Sequence, residues 1–246
     1  MTEPIEAPVR RGLADQLVEQ LLAAVLDGHY PPGSMLPPEL EIARMAGVSR
    51  LTVREAVKAL KAKGVFRVEQ GRGTFVNLPE EWSPLDSTLL AARANQEGTR
   101  DFLSSVLEAR RLVELGTAEL AAQRRTDEDL AAIGSALESM HEAQRSSDVK
   151  AFVDADIRFH RAVMDAAGNP LISALFEPIQ HLVYGARFET SSIEEGRAHA
   201  LDHHARILTA IQARRSKAAR SAMDEHLTQT EKDSTRLATR NTHNRV

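Results

Sequence analysis

The sequence predicts a mainly α-helical chain in two parts: a small helical unit closed by a β-hairpin, then an antiparallel all-α bundle of six to seven helices. Three observations carry this prediction. Aromatic residues make up only 4% of the chain and Ala, Leu, Glu and Arg are abundant, a composition of helix formers. Apolar residues recur at helical spacing along most of the length. One stretch, VFRVEQGRGTFVN, replaces that pattern with two β-type runs around Gln70-Gly71-Arg72-Gly73, a hairpin signal.

At 246 residues the chain can hold one large domain or two ordinary ones. It contains no cysteine, which excludes a disulfide framework and thiolate metal sites. No apolar run approaches the roughly 18 residues that span a membrane, and MTEPIEAPVRR lacks the apolar core of a signal peptide. A cytoplasmic location is expected. The formal net charge is −4, yet eight Lys or Arg between Arg44 and Arg72 face only two acids, Glu55 and Glu69. A basic patch on an acidic chain is the electrostatic footprint of a module that contacts nucleic acid.

Residues 11–27 form an amphipathic helix, with Leu13, Leu17, Leu21, Leu22, Val25 and Leu26 apolar and Gly28 ending it. The turn HYPPGSMLPP cannot continue a helix. ELEIARMA follows as a short helix stopped by Gly47, and Ser49 caps LTVREAVKALKAKG, whose Val53, Val57 and Leu60 face inward while Lys58 and Lys61 face outward. Two short helices joined by a tight turn make a helix-turn-helix, and the hairpin after Gly64 adds a wing. Arg72, at its tip, suits phosphate or the minor groove.

The run PPGSMLPPELEIARMAGVSRLTVREAVKALKAKGVFRVEQGRGTFV resembles the winged helix-turn-helix of the GntR family of bacterial transcription regulators, across residues 10–77. That resemblance implies DNA contacts from Ser49, Arg50, Thr52 and Arg54 on the recognition helix and from Gln70, Gly71 and Arg72 in the wing; Arg44 belongs to the same basic surface. Arg50 and Arg54 are the expected base readers, because a guanidinium can bond two acceptors on a guanine edge. Ser49 and Thr52 are expected on phosphate. Leu40 stands where many members carry a basic residue, so operator preference does not transfer from a relative.

Residues 78–98 contain two prolines and the single tryptophan and are expected as a linker with one short helix near 85–93. Beyond it helices are expected near 99–125, 127–146, 148–167, 170–188, 193–214 and 216–240. Phe152, Asp156, Phe159, His160 and Val163 fall on one apolar stripe, which makes Asp156 a buried carboxylate in need of a partner. His204 and His226 lie on the apolar faces of the next two long helices, although His203 competes with His204 by eye. One carboxylate and three imidazoles on three apolar faces are a ligand set for a divalent cation.

The second half, expected as a domain over residues 99–240, resembles the FCD ligand-binding domain of the FadR subfamily over about residues 100–230, through EARRLVE, the Asp-xxx-His of DADIRFH, AGNP, HARIL and MDEHL. The resemblance settles the histidines, implying Asp156, His160, His204 and His226 as metal ligands, with zinc expected first and nickel, manganese or cobalt as alternatives. It also implies that Arg110 points at a carboxylate, hydroxy-acid or sugar-acid effector bound at an open coordination position. Arg110 equally stands four residues before Glu114, the spacing of an intrahelical ion pair. Tyr184 and Arg187, with His181, are further expected pocket residues. The expected protein is a homodimeric repressor on palindromic double-stranded DNA. A sensor of the metal itself and a metal-dependent hydrolase are the rivals; the chain holds no HExxH for the latter.

Overall fold

A computed structural model of the protein describes residues 12–94 and 100–243. The expected domain boundaries at residue 10 and at 98 and 99 lie outside the described residues. The chain divides into two compact units, residues 1–99 and 100–246.

In the first unit, α1 (Leu13–Leu26), α2 (Glu39–Ala46) and α3 (Arg50–Ala62) precede an antiparallel hairpin, β1 (Phe66–Glu69) and β2 (Gly73–Val76). The hairpin register pairs Phe66 with Val76 and Glu69 with Gly73, and Met35 adds a bridge to Phe75. Ser49 caps α3, its hydroxyl accepting from the Thr52 amide at 3.1 Å. Burying Leu17, Leu21, Leu22, Val25, Ile42, Val53, Val57, Leu60 and Phe66 in one core contributes about 1.5–3 kcal/mol for each large side chain. Leu13, expected inward, is exposed because it opens the helix and lies beyond the core.

Residues 79–92, within the expected linker, fold back onto this core. Trp82 and Leu89 are buried in it, and α4 (Ser87–Ala94) packs on α1. Lys63 donates to Asp86 at 2.6 Å. Gly64 marks the closest approach: its φ is +78°, and a Cβ there would stand 2.3 Å from the Glu81 carbonyl oxygen.

The second unit contains α5 (Arg100–Arg124), α6 (Asp127–Arg145), α7 (Val149–Ala166), α8 (Pro170–Leu182), α9 (Tyr184–Ser191), α10 (Glu194–Gln212) and α11 (Ser216–His243). The helix expected at 170–188 is two helices, divided at Val183, where a β-branched residue and Gly185 both weaken helical propensity. Helices α5, α6, α7, α10 and α11 share one core through Ala118, Ile133, Met140, Phe152, Phe159, Ile207, Ile211 and Met223. The stripe on α7 is buried as expected, Asp156 and His160 included.

Candidate metal centre and DNA-facing surface

Three helices each contribute one buried imidazole: His160 from α7, His204 from α10 and His226 from α11. His204 Nε2 lies 3.3 Å from His160 Nε2 and 3.3 Å from His226 Nε2. Asp156, one turn before His160, brings Oδ1 to 3.4 Å from His204 Nε2 and 3.9 Å from His160 Nε2. His203, beside His204, is only partly buried and stays out of the triplet.

The groups around the rings set which nitrogen faces the centre. Glu114 on α5 is fully buried and sets Oε2 beside His160 Nδ1, so a carboxylate faces that nitrogen while Nε2 faces the other imidazoles. His204 turns Nδ1 to the Met140 sulfur at 3.2 Å, a weak acceptor, and so also directs Nε2 inward. Burial pushes His204 and His226 well below the ordinary imidazole range, and the neighbouring imidazoles push further. Nitrogen lone pairs converging at 3.3 Å repel one another unless a proton or a cation lies between them. Two nitrogens each about 2.0–2.1 Å from a tetrahedral zinc stand about 3.3 Å apart, so the donor set fits such an ion.

The partner of Asp156 among the described side chains is Arg187 of α9, whose Nη1 donates to Asp156 Oδ2. Asp156 therefore shows one oxygen to the histidines and the other to a guanidinium. Arg110 donates Nε to Glu114 Oε1 at 2.5 Å, the intrahelical pair its spacing allows. It also lines the same cleft as Asp156, Arg187, Thr190, His226 and Gln229. Burial lowers Glu114's tendency to ionise, but Arg110 and His160 reverse this and hold it well below the usual carboxylate range. Burial, then the nearby Arg110, pull Arg187 down to about 9. Tyr184 stands apart, its hydroxyl 3.4 Å from Asp154, and is absent from the cleft walls, although it shares α9 with Arg187. The side chain of His181 lies outside the described residues. Glu114 was foreseen only as an intrahelical partner for Arg110, and its place beside His160 was not.

On the first unit, Arg44, Ser49, Arg50, Arg54, Gln70, Gly71 and Arg72 are exposed and Thr52 is half-buried. Arg54 Nε donates to Glu39 Oε2 at 2.8 Å, and Arg50 Nη2 lies 3.9 Å from the same oxygen. Glu39, which the sequence did not single out, thus gathers the two expected base readers. Arg72 pairs with Glu69, and its guanidinium sits 5.6 Å from the Phe75 ring centre.

An exposed basic helix and wing on one unit, with a buried polar centre in a helical bundle on the other, define a DNA-binding regulator with a ligand-binding domain. Residues 13–76 match the family described as "Bacterial regulatory proteins, gntR family", and residues 105–229 match "FCD domain". The chain belongs to the GntR family of transcription regulators and carries an FCD effector-binding domain. It is 34% identical to the galactonate operon transcriptional repressor of Escherichia coli K12, over 85% of this chain and 90% of that one. It is 33% identical to the HTH-type transcriptional regulator LutR of Bacillus subtilis 168, over 84% and 94%. Among solved structures it resembles the Streptococcus agalactiae GntR, at 28% identity and a TM-score of 0.51, over 89% of this chain and 99% of that one. The families and relatives are transcription regulators rather than enzymes. No helix among the described residues is long and apolar enough to cross a membrane.

Proposed function

We propose that this regulator is a homodimeric repressor whose affinity for a palindromic operator is set by a small carboxylate, hydroxy-acid or sugar-acid effector bound beside a divalent ion in the FCD domain. The convergence of His160, His204 and His226 on one point beside Asp156 carries the reading. Those four side chains would hold the ion, zinc in the first place, which supplies a Lewis-acidic position for an effector carboxylate. Glu114 holds the His160 proton on Nδ1 and keeps Nε2 available. Arg110 and Arg187 supply cationic donors for the anionic ligand. Two buried guanidiniums in the cleft favour an organic anion over the ion alone as the signal.

Arg50 and Arg54 would read base edges once released from Glu39, with Ser49, Thr52, Gln70, Gly71, Arg72 and Arg44 setting position on the backbone. The sugar-acid class draws support from the name of the galactonate relative. Coupling between the two sites is expected at about 1–3 kcal/mol. Fluorescence-anisotropy titration of metal-loaded protein with its own operator, with and without a panel of hydroxy acids and sugar acids, tests the reading. A several-fold shift in operator affinity supports it, and an unchanged affinity across the panel contradicts it.

A further inference from the structure

Leu51 is 66% exposed, the large apolar side chain that α3 leaves in solvent among the described residues. The inward face of that helix is taken by Val53, Ala56, Val57 and Leu60, all buried in the first core, so Leu51 adds little to the packing. Helical spacing groups it instead with Arg54, Glu55 and Lys58 on the outward face, since side chains three, four and seven residues on stand over the same strip of surface. Arg50, its neighbour, and Arg54 approach the same Glu39 oxygen at 3.9 and 2.8 Å. The cap fixes this turn: the Thr52 amide donates to the Ser49 hydroxyl at 3.1 Å, and the two hydroxyls lie 2.9 Å apart. A leucine therefore stands at a set position between the two arginines expected to read bases.

What an apolar side chain can recognise in this setting is narrow. A leucine offers phosphate no donor, and covering phosphate with it strips water from a charge at a cost. The major-groove edges of the base pairs present donors and acceptors, and one apolar group, the 5-methyl of thymine. Bringing an aliphatic side chain against that methyl removes apolar surface from water on both sides, which is favourable. Spacing sets where the methyl lies. Residues three apart on a helix are about 5–6 Å apart at Cβ, and successive base pairs rise about 3.4 Å, so the thymine falls about one or two base pairs from the base that Arg54 reads.

We propose that Leu51 is a specificity-determining residue that reads the 5-methyl group of a thymine in the operator's major groove, about one or two base pairs from the guanine read by Arg54. This rests on the base-reading role given to Arg54 above and adds a second letter to what the recognition helix selects. The cations and hydroxyls around Leu51 attract phosphate whatever the sequence, whereas the leucine discriminates thymine from the three bases that lack the methyl.

The test is selection of duplexes from a random-sequence library by the full chain, followed by fluorescence anisotropy on the enriched duplex. The native protein should fix a thymine about one or two base pairs from a guanine that Arg54→Ala no longer selects. Deoxyuridine in place of that thymine removes only the methyl group. It should weaken native binding about three- to five-fold, the worth of one buried methyl, while Leu51→Ala binds the two duplexes equally. Equal native affinity for the thymine and uracil duplexes, or a loss by Leu51→Ala as large on random DNA as on the enriched duplex, would overturn the role of Leu51 and leave the arginines standing. A library from which the native chain enriches no sequence, or a guanine that Arg54→Ala still selects, would overturn the base-reading assignment, and this inference with it. Leu51 is exposed, so its alanine variant should keep the native helical spectrum, and the uracil comparison on the native chain needs no variant at all.

Discussion

Replacing Glu114 with glutamine isolates the electrostatic support of the metal centre. Glu114 Oε2 meets His160 Nδ1, and Oε1 accepts from Arg110 Nε at 2.5 Å. Glutamine keeps the shape but loses the charge, and its amide can turn an N–H toward His160 Nδ1. The imidazole would then carry its proton on Nε2, the nitrogen needed for the ion. Losing such an outer carboxylate weakens metal affinity by about 10- to 100-fold, or about 1.4–2.8 kcal/mol. The same change strips the buried Arg110 of its counter-ion, so stability should fall too, by up to about 3–5 kcal/mol. Competition against a zinc chelator gives the affinity, and a urea melt of metal-free protein gives the stability. Metal affinity within about two-fold of native would refute the role assigned to Glu114, since that role requires at least a ten-fold loss.

Four further outcomes are expected. Arg54→Ala should cost about 1–3 kcal/mol in operator binding and relax the choice at one base pair, measured as the ratio of operator to random-sequence affinity; an equal loss on both sequences removes Arg54 as a base reader. Ser49→Ala, by removing the cap on the recognition helix, should lower stability by about 1 kcal/mol in denaturant titration. Gly196→Ala should destabilise the bundle and weaken anion binding, because its Cβ would stand 2.2 Å from the Thr190 carbonyl on the helix that carries Arg187; unchanged melting would show that the helices separate without cost. Metal-free protein should lose stability as pH falls below 6.5. His204 and His226 have folded values well below 6.5, so in that window the unfolded chain binds protons that the folded chain does not, and protons favour unfolding. Urea midpoints on either side of 6.5 check the sign.

Periodicity and punctuation made much of this molecule readable. The α7 stripe placed Asp156 and His160 on the buried side, and Gly71 and Gly73 marked the hairpin, because both signals depend on local geometry alone. His204 was distinguished from His203 only through a resemblance, since neighbouring residues on a helix differ by about 100° and both can border an apolar face. The contact between Arg187 and Asp156 was not readable. It joins residues 31 apart on two different helices, α7 and α9, and no local pattern spans that separation. Glu39 escaped notice for a related reason: an acid beside two DNA-facing arginines looks like ordinary surface until α2 and α3 are packed together. Trp82 and Leu89 sat in a stretch whose weak periodicity reads as a connector, and only the fold shows them closing the first core.

The metal centre is tested most directly by measuring zinc retained after equilibrium dialysis, in the native chain and in His204→Ala, with circular dichroism on both. His204 faces both other imidazoles at 3.3 Å, so its loss should reduce retention from about one ion per chain to almost none while the helical spectrum persists. Equal retention by the two proteins would contradict a site built on His160, His204 and His226.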